Sequence, residues 1–429
     1  MLSVRITKEI IEHSPGPNKS VSRRQRYTGN GLKRIDIRSI TSESDYSNES
    51  YRRFSDDNGV TWSDWEDVHT GEYIVKGQDE ISVGKPSYGI YNPVHNHYVS
   101  INMQRIFDGG HKNAYRLYWQ EAKRGFHDHS FLYTSSDSIN WSEGQLIKYE
   151  PGADYVEEKW NDPEYLWNND AYIGSNLQIL ENGDILFSIG ANIKACCDIL
   201  HLDVNEVFPS CPDIMKGLIV IRGIWNKETN RYDLFNSKPV VINDLKSSRC
   251  VDEPLVFRLD TGRIIAIFRG SNVQSKNWNT RIEKGAPGHK WYCYSDDGGK
   301  TFTDPVPWHY ETCEVFFSPA TISSFYKSSK TQKLYWIGNI TGPDAYGNSP
   351  RYPLVMAEVE QKQGLLLKDT LTVIDDYHPL TDSPNMQLSN FDLLEDRLTG
   401  KLEIYITRLG ANIKDFWKSD AYKYTIEFI

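Results

Sequence analysis

The stretch SDDNGVTWSDW (residues 55–65) decides the fold, because variants of it occur at two further places in the chain. These are SSDSINWSEG (135–144) and SDDGGKTFTDPVPW (295–308). Each begins with Ser, has Asp two residues later and then reaches an aromatic residue. A short carboxylate can accept backbone N–H groups in a tight turn, so the phrase predicts a hairpin tip after a strand. Hairpins of one type at three places predict a repeat architecture.

The composition restricts the class of protein and its partners. Aromatic residues make up 13% of the 429 residues, with 12 Trp and 26 Tyr, which is typical of a sheet-rich chain with sugar-facing surfaces. The formal net charge of −10 argues against nucleic acid and anionic membrane surfaces as partners. No apolar run reaches the roughly 18 residues that span a bilayer. The first residues, MLSVRITKEIIEHS, lack the apolar core of a signal peptide, so we expect a cytoplasmic protein, or a secreted one if the chain has been trimmed.

The cysteines predict neither a zinc site nor a disulfide framework. There are six, and none forms a CxxC pair. We expect reduced, mostly buried thiols, as in cytoplasmic proteins. The sequence predicts no metal at the site and no cofactor; a structural calcium ion at the acidic run YVEEKWNDPEY (155–165) is the one alternative.

Short strand-like runs with turn residues between them fill the whole chain. Examples are GDILFSIG (183–190) and GRIIAIFRG (262–270). We therefore predict an all-β protein, a single β-propeller domain over residues 1–429 with four-stranded antiparallel blades. At about 50 to 65 residues per blade the length predicts seven blades, with six as the alternative. The segments 150–170 and 191–216 are expected to be loops that shape the binding face.

The three hairpins, at 55–62, 135–141 and 295–302, resemble the Asp-box (BNR) repeat of sialidase-like β-propellers. DEPLVFRLDTGRIIAIFRGS (252–271) looks like the sialidase segment with a Glu and, on the next strand, a substrate-binding Arg. The resemblance implies these roles for Glu253 and Arg269. GPDAYGNSPRYPLVMAEV (342–359) looks like the segment that presents a further Arg to the substrate carboxylate, here Arg351.

Two positions depart from the sialidase pattern. The family has a nucleophilic Tyr before a phrase that matches LSNFDLL (388–394), and that place holds Leu388. In RIDIR (34–38), Asp36 stands where the family has Pro. Leucine cannot form a glycosyl-enzyme, so the resemblance implies the scaffold and not the ordinary sialidase chemistry.

The segment RIFDGGHKNAYRLYWQEAKRGFHDHSFLY (105–133) has the densest set of candidate groups. We predict that His111 and His129 lie on neighbouring strands. Alternation along a strand would also place His127 and His129 on one face and Asp128 on the other. A pair of His on an early blade resembles propeller-type polysaccharide lyases, namely the ulvan lyases and rhamnosyl-glucuronate lyases.

These residues predict a carbohydrate-active enzyme that cleaves an acidic, uronate-containing oligo- or polysaccharide by β-elimination. Arg269 or Arg351 would neutralise the uronate, and His111 or His129 would remove the C5 proton. A second His or Tyr172 would protonate the leaving oxygen.

The remaining candidates, Glu253 and His127, are expected to bind the substrate. Two alternatives stay open. One is a sialidase-like exo-glycosidase that lacks the usual nucleophile, and the other is a propeller that binds glycans without cleaving them.

Overall fold

The structure, a computed structural model, describes residues 2–43, 49–68, 72–149, 162, 165, 168–210, 214–274 and 278–429. The chain divides into two compact units. Unit 1 comprises Met1–His69 and Trp308–Ile429, and unit 2 comprises Thr70–Pro307. Within the described ranges, each unit contains three antiparallel sheets.

The strands are numbered along the chain. The first part of unit 1 contains β1 (Val4–Glu12), β2 (Ser20–Tyr27), β3 (Arg34–Thr41), β4 (Glu49–Ser55) and β5 (Glu66–Asp67). Unit 2 contains β6 (Glu72–Lys76), β7 (Asp79–Val83), β8 (Ile90–Asn92), β9 (His97–Phe107), β10 (Phe126–Ser135), β11 (Gln145–Leu146), β12 (Ala171–Ile179), β13 (Ile185–Asn192), β14 (Lys216–Asn226), β15 (Arg231–Asn236), β16 (Asp252–Arg258), β17 (Ile264–Arg269), β18 (Lys290–Ser295) and β19 (Val306–Pro307). The second part of unit 1 contains β20 (Ser324–Lys327), β21 (Leu334–Asn339), β22 (Leu354–Val359), β23 (Thr372–Asp375), β24 (Asp392–Glu395), β25 (Leu402–Thr407) and β26 (Ala421–Phe428).

The sheets of unit 1 each have four strands. Two of them follow the chain, in the orders β2-β3-β4-β5 and β20-β21-β22-β23. The third has the order β1-β26-β25-β24, so the N-terminal strand completes a sheet made by the C-terminal strands. Val4 pairs with Phe428 and Ile6 with Ile426 in this ladder.

Unit 2 contains two four-stranded sheets, β12-β13-β14-β15 and β16-β17-β18-β19. Its third sheet has six strands, in the order β11-β10-β9-β7-β6 with β8 also paired to β9. Every residue of β13 is buried, because apolar side chains on both faces of this middle strand pack into two separate core clusters.

The six antiparallel sheets of the described ranges are the blades of a six-bladed all-β propeller. The main prediction of seven blades is wrong, and the alternative of six is confirmed. The division by blade length failed because insertions take up part of the chain. One of them contains the helix α1 (His111–Glu121), between β9 and β10.

The segment 191–216, predicted to be a loop, contains the helices α2 (Ile193–Leu200) and α3 (Val204–Val207). Asn192 caps α2 by accepting the N–H of Lys194 at 2.9 Å. The buried side chains of α2 include Cys196 and Cys197, which pack in the core of unit 2. A single 3₁₀ turn, Lys368–Thr370, precedes β23. No helix in the described ranges is long and apolar enough to cross a bilayer.

The repeated Ser-Asp phrases form tight turns held by the Asp carboxylate. Asp57 Oδ1 accepts the N–H groups of Val60 at 3.1 Å and Thr61 at 2.8 Å. These bonds and the Thr61 hydroxyl lower the pKa of Asp57 to about 2. Asp137 and Asp297 accept backbone N–H groups in the same way. The carboxylate thus takes the place of a backbone acceptor and ends each hairpin tightly.

Candidate active site

A group of charged side chains gathers at one end of the strands of unit 2. We call it the Tyr172 cluster, and its members are Arg105, Asp128, Asp170, Tyr172, Lys216, Arg249, Asp252, Glu253 and Arg269. These residues lie at or next to the starts of β10, β12, β14 and β16 and near the ends of β9 and β17. In an antiparallel sheet the start of one strand lies beside the end of its neighbour, so all of them reach one edge of the sheets.

Arg105 and Asp128 form a bidentate ion pair between directly opposite residues of β9 and β10. Arg105 Nε donates to Asp128 Oδ1 at 2.6 Å, and a terminal nitrogen donates to Oδ2 at 3.0 Å. The Asp128 side chain has no exposed surface. A buried carboxylate needs such a partner to stay charged, so the pair fixes both side chains.

Asp170 extends this pair toward Lys216. Its Oδ1 accepts the backbone N–H of Asp128 at 2.7 Å, and its Oδ2 lies 3.3 Å from Lys216 Nζ. Burial acts to raise the pKa of Asp170, but the opposing charge of Lys216 prevails and holds the pKa below its usual range. Asp170 is therefore an ionised carboxylate with 10% of its side chain exposed.

Asp252 and Glu253 share the guanidinium of Arg269. Arg269 Nε lies 3.1 Å from Asp252 Oδ2 and 3.0 Å from Glu253 Oε2, and Arg249 adds a contact of 3.5 Å to Asp252. Burial acts to raise the pKa of Asp252, but Arg269 and Arg249 hold it below its usual range. For Glu253, burial and the neighbouring Asp252 charge outweigh Arg269 and raise the pKa. The pKa values of the two carboxyls are thus displaced in opposite directions.

The backbone at Glu253 explains how both neighbours face the same arginine. The pairing of β16 with β17 shifts register between Asp252 and Leu255, and Glu253 has φ of 44°. A bulge turns one side chain away from the ordinary alternation of a strand. Left-handed backbone at a residue other than glycine costs free energy, and such strain is concentrated at functional sites.

Tyr172 lies between the two halves of the cluster. The Arg105 guanidinium is 5.8 Å from its ring centroid and Lys216 Nζ is 5.5 Å from it. Burial, with the charges of Glu253 and Asp252, raises the pKa of Tyr172 far above its ordinary value. Tyr172 is therefore a neutral phenol that can donate a hydrogen bond.

The structure brings three of the predicted residues, Tyr172, Glu253 and Arg269, into this cluster. The predicted strand position of His111 is wrong, since His111 is the first residue of α1. Its ring packs edge-on against Phe107 and Tyr115, with centroid distances of 5.2 and 4.8 Å.

His127 and His129 face the side of β10 opposite to Asp128. His129 is fully buried and stacks on Tyr165 at 5.9 Å, and burial lowers its pKa to about 4. His127 Nε2 lies 3.6 Å from Asp108 Oδ2. Both histidines act electrostatically on Asp170. Their catalytic and binding roles stay predictions.

Arg351 belongs to unit 1. Its Nε donates to the carbonyl of Asn348 at 3.1 Å, and a terminal nitrogen donates to Ser389 Oγ at 3.2 Å. Leu388, at the place of the family nucleophile, is fully buried in the core of unit 1. Asp36 is also fully buried and pairs with Arg23 and Arg53, so it is a structural ion-pair partner.

Sequence reasoning did not predict the other six members of the cluster, which are Arg105, Asp128, Asp170, Lys216, Arg249 and Asp252. Only Asp128 was noted, as the residue on the other face from the histidines. The available signal was charge at the ends of otherwise apolar strands, as in Lys216 before GLIVIRGIW. Among the described residues no group of three or more His, Cys, Asp or Glu side chains is arranged to hold a metal ion. The run 155–165 lies outside the described residues except for Asp162 and Tyr165.

The fold is that of the sialidase-like β-propellers. A protein of unknown function from Dyadobacter fermentans DSM 18053 has a TM-score of 0.52 and 12% identity, with all of both chains covered. The Hadza microbial sialidase Hz136 has a TM-score of 0.52 and 13% identity, and the alignment covers 93% of this chain and 65% of the sialidase. A Trypanosoma rangeli sialidase in complex with sialic acid has a TM-score of 0.49 and 11% identity, covering 98% of this chain and 58% of the other.

The chain thus spans about two thirds of the length of the Hadza sialidase. At these identities the likeness concerns the fold. No protein-family model matches the sequence, and the search of curated proteins finds no significant match.

Proposed function

We propose that this protein is a glycoside hydrolase for a glycan with an anionic group, with Glu253 as its general acid. The proposal is carried by one cluster that holds both Glu253, whose pKa is raised, and Asp170, whose pKa is lowered. Glycoside hydrolysis requires two carboxyl groups with different pKa values. The one with the higher pKa protonates the leaving oxygen, and the ionised one acts on the anomeric carbon or on water.

Asp170 is the ionised carboxylate in this proposal. Its contacts with Lys216 and with the N–H of Asp128 favour the charged form. Asp252 is charged as well, but Arg269 and Arg249 both bind it, so it serves to hold these cations in place. Tyr172, protonated, donates a hydrogen bond to the sugar or to the leaving group.

The charge of the cluster favours an anionic substrate. Its four cations are Arg105, Lys216, Arg249 and Arg269, and its ionised acids are Asp128, Asp170 and Asp252. With Glu253 protonated, one positive charge is left over to pair with a substrate carboxylate. The fold likeness to sialidases agrees with an acidic sugar, and the excess of local cations contrasts with the net charge of −10 for the whole chain.

An aromatic surface adjoins the cluster. Arg249 lies 5.4 Å from the ring centroid of Trp119, which is 45% exposed and stacks on Trp278 at 5.7 Å. Apolar faces of sugars pack on such rings, so Trp119 is the proposed contact for a second sugar unit of the substrate.

The experiment offers the protein aryl sialosides, aryl glucuronides and uronate-containing polysaccharides. A hydrolase releases the aryl group or new reducing ends without an unsaturated product. Expected is turnover on an acidic substrate that is lost in Glu253→Ala and Asp170→Ala. Azide should restore activity to Asp170→Ala if the carboxylate attacks the anomeric carbon, because the small anion enters the space left by the side chain. If both variants release reducing ends at the wild-type rate, the roles assigned to Glu253 and Asp170 are wrong.

The second candidate is the β-elimination predicted from the sequence. The neutral Tyr172 beside Arg105 and Lys216 favours it, since cations would neutralise a uronate and the phenol would protonate the leaving oxygen. A lyase gives a conjugated double bond that absorbs in the ultraviolet, and a hydrolase does not. A glycan-binding propeller gives neither product.

A further inference from the structure

A second cleft lies in unit 2, away from the Tyr172 cluster. It has a volume of about 410 Å³, and its lining includes His95, His97, Trp225 and part of the Asp-box turn at 135–142. Trp225 lies on β14, nine residues after Lys216, and a strand rises roughly 3.3 Å per residue. The cleft is therefore about 30 Å from the cluster along this strand.

Three rings stack in the cleft. The His97 and Trp225 centroids are 4.3 Å apart, and those of His95 and Trp225 are 6.0 Å apart with their planes 29° from parallel. The two imidazoles are nearly parallel, at 14° and 5.9 Å. The His97 ring is tilted 43° from that of Trp225 and is buried, while His95 and Trp225 are partly exposed, so these two rings offer apolar surface to a ligand.

Hydrogen bonds hold the stack in place. His97 Nε2 lies 2.8 Å from Tyr232 Oη, and Asn92 Nδ2 donates to the same oxygen at 2.9 Å. Burial and the neighbouring His95 lower the pKa of His97 to about 4, so its ring is neutral at physiological pH. A surface fixed in this way loses little conformational entropy when a ligand binds.

The side chains that line the cleft are polar or aromatic and carry no permanent charge. Ten described residues line it, and none is Asp, Glu, Lys or Arg. The rim includes Ser136, Asn140 and Asn230. Asn140 Nδ2 donates to Asp137 Oδ2 at 2.7 Å, so the Asp-box turn fixes the direction of this amide. The hydroxyl and amide groups around the stack are donors and acceptors for a ligand rich in hydroxyls.

We propose that this cleft binds a neutral pyranose unit of a glycan, at a carbohydrate-binding site separate from the candidate active site. The C–H face of a sugar ring packs on the aromatic stack, and its hydroxyl groups bond to the rim. The uncharged rim selects a neutral sugar, in contrast to the cationic Tyr172 cluster. Such a site would hold a neutral part of a long glycan on the protein.

The test measures binding by titration calorimetry with the full chain carrying Glu253→Gln, which prevents turnover. The probes are cellohexaose, xylohexaose, mannohexaose and chitohexaose, with a hexagalacturonate and adenosine as the acidic and nucleoside comparisons. Expected is binding of at least one neutral hexasaccharide. Trp225→Ala and His95→Ala should each weaken it about tenfold, the loss of one aromatic contact.

Phe235→Ala is the matched control, because Phe235 is a 56% exposed aromatic residue on β15 outside the cleft. It should leave the affinity unchanged. If Trp225→Ala fails to fold, the result for His95→Ala tests the proposal, because the loss of the His95 ring leaves the His97–Tyr232 hydrogen bond in place. The proposal is overturned if no neutral hexasaccharide binds, if both cleft variants bind like the control, or if only adenosine or the acidic probe responds to them. Loss of the hydrolase activity would not affect this result.

Discussion

Asp252 and Glu253 are neighbours in the chain and lie 3.1 and 3.0 Å from the same atom, Nε of Arg269. Both carboxyls depend on one guanidinium, and the side chain of each is 19% exposed. Arg249 also contacts Asp252, so the pKa of Asp252 is held below its usual range, while burial and the Asp252 charge raise the pKa of Glu253. The order of protonation therefore follows from which carboxylate has the second cation.

The first prediction concerns Glu253→Gln, which removes the proton donor and keeps the shape. We expect kcat on a natural glycan to fall about 10²- to 10⁴-fold, the usual range for a general acid. An aryl glycoside with a good leaving group needs less protonation, so its rate should fall far less. Steady-state kinetics on both substrates measure the difference.

The control for this change is Glu283→Gln, an exposed carboxylate of unit 2. The raised pKa of Glu253 also gives the wild type a fall in kcat/KM as the pH rises through that pKa. Glu253→Gln should lack this fall in kcat/KM at high pH, which is the basic limb of the pH profile, and Glu283→Gln should keep it. Equal losses on both substrates, with the basic limb kept, would mean that another group supplies the proton.

The second prediction concerns Lys216→Met. Lys216 holds the pKa of Asp170 below its usual range, so its removal should raise that pKa. The acid limb of kcat/KM should then move to higher pH, because Asp170 must be ionised to act. KM for an anionic substrate should rise as well, since a cation is lost. Lys300→Met, at an exposed lysine, is the comparison. An acid limb that does not move would remove Asp170 from the proposed role.

The third prediction concerns the stability contribution of Asp252. Asp252→Asn leaves the largely buried Arg269 and Arg249 side chains, 12% and 18% exposed, with one anion fewer. Loss of one partner in a buried pair costs up to about 3 to 5 kcal/mol. The folded-state pKa of Asp252 is lowered, so its contribution is complete above the unfolded value of about 3.9 and is lost as the pH falls through the folded value.

Urea unfolding of Asp252→Asn at pH 7 and at decreasing pH measures this contribution. The difference in unfolding free energy from the wild type should shrink below about pH 4. Asp296→Asn removes the partner of Arg263 from an exposed pair, where solvent screens the charges, and should change little. Equal effects of the two substitutions would show that Asp252 is not a buried ion-pair partner.

The fourth prediction separates hydrolysis from β-elimination through the histidines. If the protein is a hydrolase, His111→Ala and His129→Gln should leave turnover unchanged once folding is verified by thermal melting. If a histidine is the base of a lyase, the same changes should lower the rate of unsaturated product formation about 10²- to 10⁴-fold. Ultraviolet absorbance and reducing-end assays on one set of samples distinguish the outcomes.

The residues of the candidate site divide into those with a sequence signal and those without one. Glu253 and Arg269 could be predicted because they stand in a segment that resembles a sialidase segment, and Tyr172 was selected for its chemistry. Lys216 and Asp170 could not, because a single charged residue beside a strand has the same appearance in a loop and in a site. The predicted position of His111 was wrong because a strand was expected there, whereas a helix begins at His111 in the segment GGHKNAYRLYWQE.

The sequence by itself determined the all-β class and the hairpin turns, because both depend on local preferences: alternation along a strand, and a carboxylate that bonds to the backbone within four residues. The tertiary structure alone decided the number of blades, the direction of Asp128 into the cluster, and the division of charge between Asp252 and Glu253. These depend on side chains distant in sequence that come together in a buried environment, where the nearest cation determines which group keeps its charge.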